Sequence, residues 1–232
     1  VETTTLKSQA HRVTVEAMGT VMPAKSITVL PRVFGKIVSV NEHFVPGGRV
    51  KMGNVLVKID PDDYEIRVKQ SQAELKRLEA SWHQAQNMVK AKESAVIKAQ
   101  CDLTNEMGQQ KIAQREYELF GKSIEGLDRS LVLREPELKA AKAALEAAKA
   151  DKQATQASRD AAKAAYENGK AALEQAKLDL DRTVVRVPFD AVVRSQLVDI
   201  GSEVSTGTAI AELAGIEQYW VNLSVPVDML KW

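Results

Sequence analysis

The sequence predicts an α+β, multidomain chain, in which a long antiparallel α-helical coiled-coil hairpin is inserted between two halves of one small β domain. Three observations predict it. From Asp62 to Arg182, apolar residues recur every seven positions: Val68, Leu75, Trp82, Val89, Val96 and Leu103 form one series, and Leu138, Leu145, Tyr166, Leu173 and Leu180 another. Heptads sustained over this distance specify a coiled coil. The flanks of that stretch are instead rich in β-branched residues and punctuated by glycine. Finally, the flanks repeat one another: Gly47, Val50, Gly53, Leu56 and Ile59 are spaced by threes, and so are Gly201, Val204, Gly207, Ile210 and Leu213.

In chain order, residues 1–11 are polar and carry no periodic pattern. Arg12–Val21 alternates around Val13, Val15, Ala17 and Val21 and reads as a strand ended by Gly19 and Pro23. Ile27–Val29 reads as a second strand, and Pro31–Asp60 as short strands separated by turns at Gly35, Gly47, Gly48 and Gly53. The first helix starts at Asp60-Pro61-Asp62-Asp63. Asp60 accepts from free N–H groups, Pro61 needs no donor at the first helical position, and Asp62 and Asp63 complement the helix dipole. This acidic cluster lacks the ligand spacing of a calcium loop and reads as a cap.

A second seam on the first helix holds Ser71, Leu78, Ala85 and Ala99. Beyond Leu103, Glu106 and Gln110 interrupt the apolar pattern, and Gly108, Gly121 and Gly126 mark where the rod bends or turns. The second helix is expected from Pro136 to Arg182, or from an earlier start with Pro136 as a kink, because Glu135 is a poor cap. Its second seam is Ala141, Ala148, Thr155, Ala162, Gly169 and Ala176, small residues that let two helices approach closely. Each arm is expected to span about 45 residues, or roughly 70 Å at ~1.5 Å per residue. Strands resume at Val184 and continue to a final one over Tyr219–Val227. The expected domains are thus 1–26 with 215–232, 27–61 with 183–214, and a hairpin over 62–182 whose tip lies near 108–135.

Composition narrows the function. A net charge of +1 over 232 residues gives no electrostatic case for nucleic acid. The lone Cys101 excludes an internal disulfide or a cysteine zinc site. His11, His43 and His83 are scattered and form no metal motif, and neither a phosphate loop nor a nucleophile elbow is present. No enzyme and no cofactor are expected. Trp82 falls on the seam and reads as core, Trp220 and Trp232 as barrel or boundary residues, and Cys101 as a small helical side chain.

The repeated halves, in which Pro31-Arg-Val-Phe-Gly35-Lys-Ile-Val parallels Pro188-Phe-Asp-Ala191-Val-Val-Arg, resemble a biotinyl/lipoyl-type domain with turns at Gly47, Gly53, Gly201 and Gly207. Split by a helical hairpin, this arrangement resembles the periplasmic adaptor subunits, or membrane fusion proteins, of tripartite efflux and secretion systems. Val15-Glu-Ala-Met-Gly-Thr-Val-Met-Pro23 resembles the strand leading into that family's β-barrel domain, and Tyr219-Trp-Val-Asn-Leu-Ser-Val-Pro-Val-Asp228 the return into it. In lipoyl carriers a lysine on the turn between the halves bears the cofactor; here Asp60-Pro61-Asp62 and the helices occupy that place.

The resemblance implies a periplasmic protein, anchored to the inner membrane when full-length, that assembles as a ring of six copies. The ring would link an inner-membrane efflux transporter to an outer-membrane channel protein for export of small molecules or drugs, with a proton-driven pump favoured over an ABC transporter. The family's barrel continues further, so the chain reads as a fragment. The family's hairpin tip meets the channel through an Arg, a Leu four residues later, and a Ser near the start of the second helix. Arg115 and Leu119 match the first two, with Phe120 adjacent. Ser130 is available but displaced for the third, and Arg134 occupies the aligned position. Two other readings stay open: a coiled-coil structural tether, or an adaptor of an ABC-type or type I secretion system. A modified lysine would mark a carrier domain instead.

Overall fold

The computed structural model describes residues 3, 17–120 and 129–224. The N-terminal part of the predicted Arg12–Val21 strand, His11, the predicted bends at Gly121 and Gly126, the end of the Tyr219–Val227 strand and Trp232 lie outside the described residues. The chain divides into two compact units, one made of Val1–Asp62 with Asp179–Trp232 and the other of Asp63–Leu178.

Among the described residues the first unit holds ten strands: β1 (Met18–Pro23), β2 (Ser26–Val29), β3 (Gly35–Val40), β4 (Arg49–Val50), β5 (Val55–Ile59), β6 (Val184–Arg186), β7 (Ala191–Gln196), β8 (Glu203–Val204), β9 (Ala211–Gly215) and β10 (Tyr219–Ser224). They form a β1–β10 ribbon and two four-stranded sheets ordered β2-β9-β7-β4 and β6-β5-β3-β8. The repeat seen in the sequence is an exchange of strands. The first half supplies β2 and β4 to the sheet built on β7 and β9, and the second supplies β6 and β8 to the sheet built on β3 and β5. Neither half completes a sheet alone.

Matching backbone bonds make the two halves equivalent. Gly47 N–H donates to Val193 C=O at 2.8 Å and Gly201 N–H to Ile37 C=O at 2.9 Å. Val193 N–H returns to Gly48 C=O, and Ile37 N–H to Ser202 C=O, both at 2.9 Å. Asn41 N–H meets Leu56 C=O at 2.9 Å, as Leu197 N–H meets Ile210 C=O at 3.0 Å. Ile37 therefore corresponds to Val193, and Gly35 to Ala191. The sequence parallel between Pro31 and Pro188 is one residue out of this register.

The shared core follows from alternation along these strands, except in β5, where a register irregularity between Val55 and Val57 accompanies burial of both Leu56 and Val57. Ile37, Leu56, Val57, Ile59, Val193, Ile210 and Leu213 are fully buried, drawn from both halves. The predicted strand boundary near Gly19 shifts, because Gly19 is inside β1, where a Cβ would lie 2.6 Å from the Asn222 carbonyl oxygen. That close approach, not a turn, explains the glycine.

The second unit is helical: α1 (Asp62–Phe120), α2 (Arg129–Val132) and α3 (Glu135–Asp181). Asp60 Oδ1 accepts the Asp62 N–H at 3.1 Å, the predicted cap. At the other end Thr183 donates both its N–H and its hydroxyl to Leu180 C=O, at 3.1 and 2.7 Å. The arms run antiparallel: Leu78 faces Gly169, Trp82 stacks on Tyr166 at 5.4 Å, Lys92 pairs with Asp151 and Glu93 with Lys152. Val89, Leu103, Leu145, Leu173 and Ala176 are buried between them. A Cβ on Gly169 would come within 2.6 Å of Leu78 Cδ1, which accounts for the small-residue seam.

Two expectations for the helices change. The arms are unequal: α1 has 59 residues and α3 has 47. Instead of breaking at Gly108, α1 continues through it, since one helical glycine costs only about 0.5–1 kcal/mol relative to alanine. Glu106 and Gln110, expected to interrupt the seam, remain half-buried on it together with Ala113 and Tyr117. The heptad geometry outlasts the apolar residues because a charged partner meets Glu106 from the other arm.

Candidate functional site

The predicted contact residues lie where α1 ends and α3 begins. The α1 positions 106, 110, 113 and 117 form the half-buried seam. Ile112, Arg115, Glu116 and Leu119 recur at steps of three and four on another face and are exposed. Ile112 is 61% and Leu119 72% exposed, high values for large aliphatic side chains. An aliphatic pair flanking a guanidinium on one helical face offers both desolvation and charge to a partner, the combination that anchors interfaces. Phe120 is the last residue of α1.

Ser130 is half-buried in the single turn of α2, away from the Arg115–Leu119 pair in sequence and in helix. Leu131 beside it is 59% exposed. Arg134 follows at the corner between α2 and α3 with φ of 53°, the left-handed region that a non-glycine residue enters at a cost. Its N–H donates to Leu131 C=O at 3.1 Å, and its C=O accepts the Leu138 N–H at 3.1 Å, so it closes one helix and opens the next. The two readings of Pro136 thus merge: a helical turn does precede it, and α3 starts afresh at Glu135.

The Arg134 side chain is engaged within the chain. Its Nε and Nη2 donate to Glu106 Oε1 and Oε2 at 2.6 and 3.0 Å, a bidentate fork across the two arms. The hydrogen bonds from Arg134 hold the Glu106 carboxyl below its usual range, and the same bonds raise Arg134. Arg115 and Leu119 are exposed, whereas Ser130 is half-buried and Arg134 is paired with Glu106. Sequence reasoning missed Ile112 and Leu131. The spacing of Ile112 from Arg115 and Leu119 carried the signal for the first; the corner that exposes Leu131 carries none.

Among the predicted turn glycines, Gly47, Gly53 and Gly201 adopt φ of 86°, 82° and 90°. Gly207 does not share that conformation, although its spacing in the repeat is identical. Among the described residues no group of three or more His, Cys, Asp or Glu side chains is placed to hold a metal. Among them, too, no helix is long and apolar enough to cross a membrane. Cys101 is exposed on α1.

A family model described as the RND MFP (membrane fusion protein) barrel-sandwich hybrid domain matches residues 25–214. Multidrug resistance protein MdtA of Yersinia pestis (strain Pestoides F) is 39% identical over 64 residues, which is 28% of this chain and 14% of that protein. MdtA of Pantoea ananatis (strain AJ13355) is 41% identical over 64 residues, 28% of this chain and 15% of that one. The aligned part is thus a small fraction of these curated relatives. The solved structure of the periplasmic adaptor protein EmrA aligns with 95% of this chain and 81% of its own, at 20% identity and a TM-score of 0.52, a likeness of fold.

Proposed function

The chain belongs to the membrane fusion protein family through a barrel-sandwich hybrid domain over residues 25–214, and from that premise we propose that it is a periplasmic adaptor. In the full-length protein, anchored to the inner membrane, it links an inner-membrane efflux transporter to an outer-membrane channel protein and works as a ring of copies, six in the full assembly. The cargo is a small molecule or drug, carried by a proton-driven pump. The RND designation of the matching family supports that choice over an ABC-type partner, and the multidrug resistance relatives support a drug as cargo.

The single observation that carries the contact is the exposed pair Arg115 and Leu119 on the distal part of α1, off the seam that joins the arms. Ile112 extends the pair by one turn, and Phe120 follows it. The adaptor's chemistry is geometric: no bond is made or broken, and the distal end of the hairpin is offered to a helical partner.

The test uses the full-length protein co-expressed with its transporter and channel. Arg115→Asp with Leu119→Asp is expected to abolish capture of the channel protein and to sensitise cells to exported drugs. Circular dichroism should remain unchanged, since both side chains are exposed. Wild-type capture and wild-type resistance in this double variant would defeat the tip assignment. A tether without channel contact predicts that result.

A further inference from the structure

We infer that Glu106 and Arg134 form a latch that sets how the α2 turn and the start of α3 are presented to a partner, with Arg134 a positioning residue and not a contact. The inference rests on the proposed tip contact for its functional meaning, but its structural content stands apart from it. Three observations combine. Arg134 holds a left-handed backbone conformation at φ 53°. Its backbone closes α2 through Leu131 and opens α3 through Leu138. Its guanidinium grips the Glu106 carboxylate by two parallel hydrogen bonds, 28 residues back along the chain.

Each observation alone has a local explanation; together they describe a strained corner pinned from the facing arm. A left-handed arginine is disfavoured, so the corner persists only while its surroundings hold it. The turn α2 is one helical turn long and has no independent stability. Backbone bonds at Arg134 define the shape of the corner, and the guanidinium fork defines its position against α1. The fork is specific: a lysine supplies the charge but one point of attachment, whereas the planar guanidinium fixes two. Of the two side chains, Glu106 is the less exposed, at 15% against 37% for Arg134, so the anchor is the carboxylate set in the seam.

The latch also accounts for an anomaly of the sequence. Glu106 occupies a heptad position that should be apolar, and a polar group in such a seam is retained where it specifies register. Here it would specify the register of the corner in particular, since Arg134 is the residue that meets it.

The experiment places spin labels at Lys111 and Leu131 of the full-length protein and reads their distance distribution. Arg134→Gly is the key variant, because glycine accepts the left-handed corner while removing the side chain that carries the guanidinium; the reversed pair and Glu106→Gln, which leave no glycine at the corner, control for its added backbone freedom. It is expected to broaden the distribution at least two-fold, as is Glu106→Gln. Arg134→Lys should fall between these and the wild type. The reversed pair, Glu106→Arg with Arg134→Glu, should restore a narrow distribution. A distribution in Arg134→Gly identical to the wild type overturns the latch.

Channel capture separates the latch from the functional reading. With the latch correct, Arg134→Gly weakens capture about ten-fold and the reversed pair recovers it. Weakened capture with an unchanged distribution would make Arg134 a direct contact, and the latch fails. A broadened distribution with Leu119→Asp still binding the channel would sustain the latch and defeat the tip assignment.

Discussion

The repeat of the β unit supplies a direct test, in which alanine replaces Gly47 in one variant and Gly207 in another. The sequence makes these glycines members of matching series; the structure makes them different. Gly47 has φ of 86°, and a Cβ built there meets nothing within 4 Å. A Cβ on Gly207 also meets nothing within 4 Å, but its φ is outside the left-handed region. Packing therefore contributes to neither substitution. Alanine at Gly47 costs roughly 1–2 kcal/mol of backbone strain. Both substitutions also restrict the unfolded chain, which returns roughly 0.4–1 kcal/mol to the folded state. That return cancels between the variants, so their difference isolates the strain, about 1–2 kcal/mol.

The assay is native-state amide exchange at Ile37 and Val193, whose N–H groups donate to Ser202 and Gly48 across the exchanged strands. Gly47→Ala should exchange roughly 5- to 30-fold faster than Gly207→Ala at both amides, the factor equivalent to that difference. Gly201→Ala, at φ of 90°, should behave like Gly47→Ala. Equal protection in the Gly47 and Gly207 variants would refute the reasoning, as would greater damage at Gly207.

Further outcomes follow from packing and charge. Leu56, fully buried, should lose about 2–5 kcal/mol of β-unit stability on replacement by alanine, read from denaturant midpoints. Gly108→Ala should raise the thermal midpoint of the helical signal, because its Cβ enters open space and helix propensity improves by roughly 0.5–1 kcal/mol. Gly169→Val should lower it, since the added Cβ meets Leu78 at 2.6 Å; a higher midpoint would contradict the close approach of the arms. In a carbon-13 titration Glu106 should titrate below the ordinary glutamate value of about 4.3, held down by Arg134. Because its folded value is depressed, its stabilising contribution is present above the unfolded value and is lost as pH falls through the folded one. Glu137 also acts on Arg134, so Arg134→Gly should return Glu106 toward the ordinary value while Glu137→Gln leaves it low.

Much of the architecture was legible because its signals are periodic. Heptads reported which faces of α1 and α3 meet, and the three-residue spacing reported two related β halves. What escaped depends on partners distant in the chain. Nothing local to β4 says that it joins β7, or that β8 joins β3. Glu106 looked like a break in the seam because Arg134 lies 28 residues away. Gly207 looked equivalent to Gly53 because spacing does not encode φ. At the candidate site, Arg115 and Leu119 are proposed through a family pattern. The same pattern points to Arg134, whose engagement with Glu106 across 28 residues no local signal announces.

The exchange of strands also bears on the order in which the protein can fold. No sheet beyond a β3–β5 hairpin can form until the second half has been synthesised, and about half of the chain separates the two. Closing so long a loop at random is entropically costly. The helical arms change that arithmetic, because their pairing is antiparallel and propagates between neighbours. Once zipped, they return Thr183 toward Ile59, whose N–H it accepts at 2.8 Å in the folded state. Pulse-labelled exchange should accordingly protect α1 and α3 before the amides of Ile37 and Val193. The hairpin would then serve the β unit as a splint during assembly, and substitutions that unzip the arms should slow formation of a domain whose contacts they never touch.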